Sequence, residues 1–196
     1  WLRHLIFAKE NGLSINPKIV AEIGPGDSLG VGLAALLSGS EKYYAFDIIK
    51  YSNLKDNVSI FDEIVQLFKN KEDIPSDEEF PKLKPYLNDY SFPHDIFTDE
   101  KIKKNLNDTR IAKIRNDLTK KNSEKYIVYK VPWLDKNIIE NESVDLILSQ
   151  AVLEHVDSLK DVYSTMNLWI KPKGYISHQV DFKCHGFSKL WNGHYL

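Results

Sequence analysis

Val20-Ala21-Glu22-Ile23-Gly24-Pro25-Gly26-Asp27-Ser28-Leu29-Gly30 is the stretch that decides the fold. A short apolar run, Lys18 to Ile23, ends at Gly24 and Gly26, and a helix-forming run, Ser28 to Leu37, follows at once. That order reads as strand, tight turn and helix, with the turn kept clear of side chains. Such a turn brings backbone N–H groups and a helix N-terminus close to a ligand, a geometry suited to a negatively charged group. The strand is apolar almost throughout, as a strand covered on both faces of a parallel sheet must be.

Working outward, Leu2 to Lys9 reads as a short amphipathic helix stopped by Asn11-Gly12. Lys42 to Ile48 is the second strand and carries Asp47 near its C-terminal end. Lys125 to Val131 is the third strand, Val144 to Ser149 the fourth, Ser158 to Ile170 a helix, Lys171 to Gly174 a turn and Tyr175 to Phe182 the fifth strand. Strands alternating with helical segments predict an α/β fold with a doubly wound, mainly parallel sheet. Between strands two and three, residues 51–122 are polar, charged and broken by proline. Val58, Phe61, Ile64, Val65 and Phe68 mark one helix there, and Ile102, Leu106, Ile114 and Leu118 suggest a second. The stretch is too long for a plain connection and is read as an insertion or lid covering the site.

The 196 residues fit one domain, 1–196. A net charge of −2 gives no reason to expect nucleic acid or an anionic membrane as partner. No apolar run approaches the roughly 18 residues of a membrane span. The single cysteine, Cys184, excludes an internal disulfide, and the expected location is cytoplasmic. The chain does not begin with Met and is read as a fragment or as lacking its first residues.

The glycine spacing, Gly24, Gly26 and Gly30, fits a dinucleotide fingerprint poorly, because Leu29 stands where its third glycine belongs. No Gly-Lys-Ser/Thr follows, so a phosphate loop is absent. The wider pattern is more specific. Glu22-Ile23-Gly24-Pro25-Gly26, Asp47 at the end of strand two, Ser143 to Val156 around strand four with its Leu153-Glu154-His155, and Leu168-Trp169-Ile170-Lys171-Pro172-Lys173-Gly174 occur in that order. In these four pieces the sequence resembles the class I S-adenosylmethionine-dependent methyltransferases of the small-molecule type. The resemblance spans most of residues 15–182 apart from the insertion.

The resemblance implies a Rossmann-like sheet of strand order 3-2-1-4-5 and S-adenosyl-L-methionine as cofactor. Backbone N–H groups over the turn Gly24 to Gly26, with Pro25 as its middle residue, would receive its methionine carboxylate, Asp47 its ribose hydroxyls, and Glu22 its ammonium; the other reading of Glu22 is a structural partner of the turn. Adenine would lie between Ile48 and Trp133, and Gln150 would border the cofactor. His155, Asp181 and His185 are the candidate catalytic residues, because they follow strands four and five and histidine suits deprotonation of a hydroxyl; His155 also reads as ordering the helix start. Gln150 or Ala151 stands where metal-binding relatives carry an acid, so no metal is expected. Only Gly186 to Leu196 follow strand five, too little for the family's sixth and seventh strands, which are expected to be absent. The reaction expected is methyl transfer to a small-molecule or glycan-like hydroxyl. A non-catalytic S-adenosylmethionine-binding module and an NAD-dependent oxidoreductase are the rival readings.

Overall fold

A computed structural model describes residues 1–120, 124–133 and 135–182. Its sheet is built outward from β1 (Ile19–Ile23), which pairs in parallel with β2 (Lys42–Phe46) on one side and β4 (Val144–Gln150) on the other. β3 (Ile127–Lys130) extends the sheet beyond β2 and β5 (Ile170–Gln179) beyond β4, so all five strands are parallel in the order β3-β2-β1-β4-β5. This is the expected order. The chain reverses its direction of winding between β1 and β4, and in open α/β sheets ligands bind at the carboxyl ends of strands at such a point.

Helices cover both faces. On one face lies α2 (Gly30–Leu37), whose Leu33, Leu36 and Leu37 are buried with Phe61, Val65 and Phe68 of α3 (Asn57–Asn70) and Ile114 and Leu118 of α5 (Asp108–Thr119). On the other, α6 (Leu159–Trp169) sets Val162, Met166 and Trp169 against Ala21, Ile23, Phe46 and Ile147. The N-terminal helix α1 (Leu2–Glu10) adds Leu5 to the first core. α2 sits close because Gly32 has no side chain: a Cβ there would fall about 2 Å from the Tyr43 ring.

The structure changes three boundaries. The basic helix expected from Ile102 to Leu118 is two helices, α4 (Asp99–Asn105) and α5. Asn107 divides them, its side chain accepting the Arg110 N–H at 2.9 Å as an N-cap. Their apolar residues lie on one stripe although the backbone is interrupted. Lys171 to Gly174 is an irregularity within β5 instead of a turn before it: Ile170 pairs with Val144 and Tyr175 with Leu146, so five steps on β5 face two on β4. β5 therefore starts earlier than expected and ends at Gln179. Finally, α3 and α5 pack on α2 and β3, and among the described residues of 51–122 only Tyr51 lines the cavity at the switch point. Segment 51–122 supplies the crossover layer between two parallel strands.

Asp145, the acid of the fourth-strand motif, ties these pieces together. Its carboxylate accepts N–H groups of Lys18 and Ile19 at 2.9 and 2.8 Å and the Lys171 ammonium at 2.7 Å. It thus fixes the start of β1 against β4 and the bulge of β5.

Candidate cofactor site at the glycine turn

The turn is built by two left-handed glycines, Gly24 at φ 68° and Gly26 at φ 69°. Gly24 is required twice over, because a Cβ there would also lie 2.5 Å from a methyl of Val152 in the loop after β4. Around Gly26 nothing stands within 4 Å of such a Cβ. The Gly24 N–H donates to the Phe46 carbonyl at 2.7 Å, and the Gly26 N–H to Asp47 Oδ2 at 3.1 Å. Asp47 Oδ1 accepts the Ile48 N–H at 2.9 Å, and the Trp133 N–H donates to the Asp47 carbonyl at 3.2 Å. Turn, loop after β2 and loop after β3 are thus laced together at Asp47, which is buried.

These elements enclose a cavity of about 630 Å³, within the size range of small-molecule sites. Of the sequence-predicted cofactor residues, Gly24, Gly26, Asp47, Ile48 and Trp133 line it, and so does the candidate base His155. His155 ends a short 3-10 turn, Leu153–His155, that follows β4. Trp133 packs its ring on Phe46 and Trp169, at centroid distances of 5.9 and 5.7 Å. Ile48, Ile49 and Tyr51 form the outer wall and are well exposed. The wall formed by the start of α6 adds Asp157 and Asp161, which motif reading missed. The Ser158 side chain caps α6, accepting the Asp161 N–H at 3.4 Å, and that capping pair was the available signal for this wall.

Other predicted residues fall elsewhere. Glu22 and Gln150 are not among the cavity's lining residues. Glu22 points to the α2 face, where the Tyr43 hydroxyl meets its Oε2 at 2.5 Å. Burial pushes its carboxyl up from 4.5 to about 7, against the lowering effect of the Tyr43 hydroxyl and the Gly32 N–H. Gln150 turns toward α1, its Nε2 3.4 Å from His4 Nε2, while His4 Nδ1 lies 2.7 Å from Ser177 Oγ. Burial holds the His4 imidazole far below its usual range, at about 3. Pro25 sits between the glycines and has no N–H to offer. Asp181 follows β5 and donates its backbone N–H to Glu154 Oε1 at 3.2 Å. His185, Cys184 and the tail expected to be too short for further strands lie outside the described residues.

Sheet order, glycine turn, acid after β2 and cavity at the switch point define a fold of the doubly wound α/β class with its cavity at the carboxyl ends of the strands. A methyltransferase-domain family model matches residues 105–177, from the end of α4 into β5. Over that stretch the chain is similar to methyltransferase domains. No curated protein sequence matches it. Among solved structures it is similar to the (S)-3-hydroxybutyryl-CoA dehydrogenase PaaH1 from Ralstonia eutropha, with 13% identity and TM-score 0.40 over 84% of this chain and 41% of that one. It is also similar to the trans-methyltransferase CalH in complex with SAH, with 14% identity and TM-score 0.36 over 89% of this chain and 34% of that one. The chain thus spans less than half the length of either structure. No helix among the described residues is long and apolar enough to cross a membrane.

Proposed function

We propose that this domain binds S-adenosylmethionine in the cavity at the glycine turn and transfers its methyl group to a hydroxyl of a small molecule or glycan. The observation that carries the cofactor reading is the charge of the cavity. Among the described residues its lining includes Asp47, Asp157 and Asp161 and neither lysine nor arginine. A cationic cofactor without phosphate suits that lining, whereas the pyrophosphate of NAD would meet carboxylates in place of cations.

The cradle fits the cofactor's parts. Each Asp47 oxygen accepts one N–H and keeps a lone pair, so the carboxylate can take both ribose hydroxyls without leaving the turn. With the Gly24 and Gly26 N–H groups committed inside the protein, the methionine carboxylate falls to the N–H groups of Asp27 and Ser28, which make no hydrogen bond among the described residues. Ile48 and Trp133 offer apolar faces for the adenine. The bound cofactor supplies the activated methyl group. The chain's part is to hold it in line with an acceptor and to take up the acceptor's proton. His155 is assigned that proton, because it is the imidazole on the cavity wall. Asp181, which follows β5, is assigned to the acceptor side.

Calorimetry with S-adenosylmethionine, S-adenosylhomocysteine and NAD tests the reading. Binding of both sulfur compounds and not of NAD is expected; binding of NAD alone overturns it. Methyl transfer from labelled cofactor into a library of hydroxyl, amine and thiol acceptors then tests the reaction. Tight cofactor binding with no transfer would leave a binding module.

A further inference from the structure

Asn57, the first residue of α3, is fully buried. Its Oδ1 accepts the N–H of Leu29 at 2.7 Å, and Leu29 is the residue on which α2 begins after the glycine turn. Its Nδ2 donates to Ser52 Oγ at 2.7 Å and to the Asn53 carbonyl at 3.0 Å. Ser52 is itself buried, and its N–H donates to the Tyr129 hydroxyl of β3 at 3.3 Å. One carboxamide therefore joins four pieces of chain: the end of the glycine turn, the loop after β2, the start of α3 and, through Ser52, β3.

The position of Ser52 gives this junction its consequence. Ile48, Ile49 and Tyr51, which form the outer wall of the cavity, lie between Asp47 and Ser52. These three side chains are exposed, so little packing holds that wall in place. It is held at one end by the Asp47 hydrogen bonds and at the other by Asn57. We infer that Asn57 is a positioning residue for the cofactor: its carboxamide clamps the loop after β2 to the N-terminus of α2 and so fixes the wall against which the nucleoside half of the cofactor packs. The inference rests on the cofactor reading above. It also gives segment 51–122 a part in binding exerted from behind the wall, through the first residue of its first helix.

The test is calorimetric titration of S-adenosylhomocysteine and of adenosine into the wild type, Asn57→Ala, Ser52→Ala and Ile114→Val. Ile114 is a buried core residue of α5 remote from the cavity lining, and its loss of a methylene lowers stability without touching the clamp. Asn57→Ala is expected to weaken S-adenosylhomocysteine by about tenfold or more and adenosine by the same factor, because the wall serves the nucleoside half. Ser52→Ala, which keeps the Leu29 bond, is expected to show a smaller loss in the same direction, and Ile114→Val none. A folded Asn57→Ala that binds within about threefold of wild type overturns the inference; if that variant does not fold, an unchanged affinity in Ser52→Ala overturns it. Failure of the wild type to bind S-adenosylhomocysteine at all is a different result and removes the cofactor reading itself.

Discussion

Glu22 makes the stability of this domain depend on pH in a direction opposite to that of most carboxylates. Its carboxyl is buried beside Tyr43, and burial raises it from 4.5 to about 7. The folded state therefore holds a proton that the unfolded chain releases between pH 4.5 and about 7, and stability must fall as pH rises across that window. The contribution is fully present below 4.5 and lost above about 7; the displacement corresponds to about 3 kcal/mol. Glu22→Gln keeps an acceptor for the Tyr43 hydroxyl and for the Gly32 N–H but cannot ionise. Urea unfolding of wild type and variant on either side of the window measures the difference. The variant is expected to gain on the wild type by about 3 kcal/mol from the acid side of the window to the neutral side. Parallel stability curves would refute the assignment of a raised carboxyl at Glu22.

The remaining expectations concern the turn, its acid and the N-terminal helix. Gly24→Ala should cost about 2–4 kcal/mol, combining left-handed strain with the Val152 clash, and a Val152→Ala background should relieve part of it, as read by denaturant unfolding. Gly26→Ala meets no neighbour within 4 Å and should cost only about 1–2 kcal/mol of strain. Asp47→Ala should weaken S-adenosylhomocysteine by about 1–3 kcal/mol, read by calorimetry; unchanged affinity would move the ribose elsewhere. His4→Gln should flatten the acid limb of the stability profile. Burial depresses His4 from 6.5 to about 3, so its contribution is present above 6.5 and lost as pH falls.

The parts legible in the sequence were those fixed by local chemistry. The apolar run of β1, the glycines after it and Asp47 at the end of β2 announce themselves within a few residues, and the strand order follows from the family's motif order. What was not legible depends on which face a residue meets. Glu22 and Gln150 stand beside cavity residues in sequence, yet strand alternation turns both away, toward Tyr43 and His4. Asn57 sits in a polar stretch that reads as solvated, and only the packing of α3 against α2 buries its carboxamide. The division of α4 from α5 had a local signal in Asn107-Asp108, but the apolar stripe ran across it and suggested one helix.

Backbone accounting sharpens the role of the glycine turn. A turn of this kind is commonly credited with presenting several N–H donors to an anion. Here Gly24, Gly26, Leu29 and Gly30 all donate inside the protein, to Phe46, Asp47, Asn57 and Ser28, and Pro25 has no donor. The anion-binding capacity of the turn is therefore concentrated at Asp27 and Ser28, on the α2 side of the two glycines. The glycines serve a different end: they let the backbone pass Val152 on one side and bring the Gly26 N–H to Asp47 on the other. Asp47 and the turn hold each other in place, so under the proposed reading the carboxylate assigned to the ribose is already ordered by the loop assigned to the methionine end. Preorganisation of that kind lowers the ordering cost of binding. Under that reading both ends of the cofactor meet one hydrogen-bonded unit.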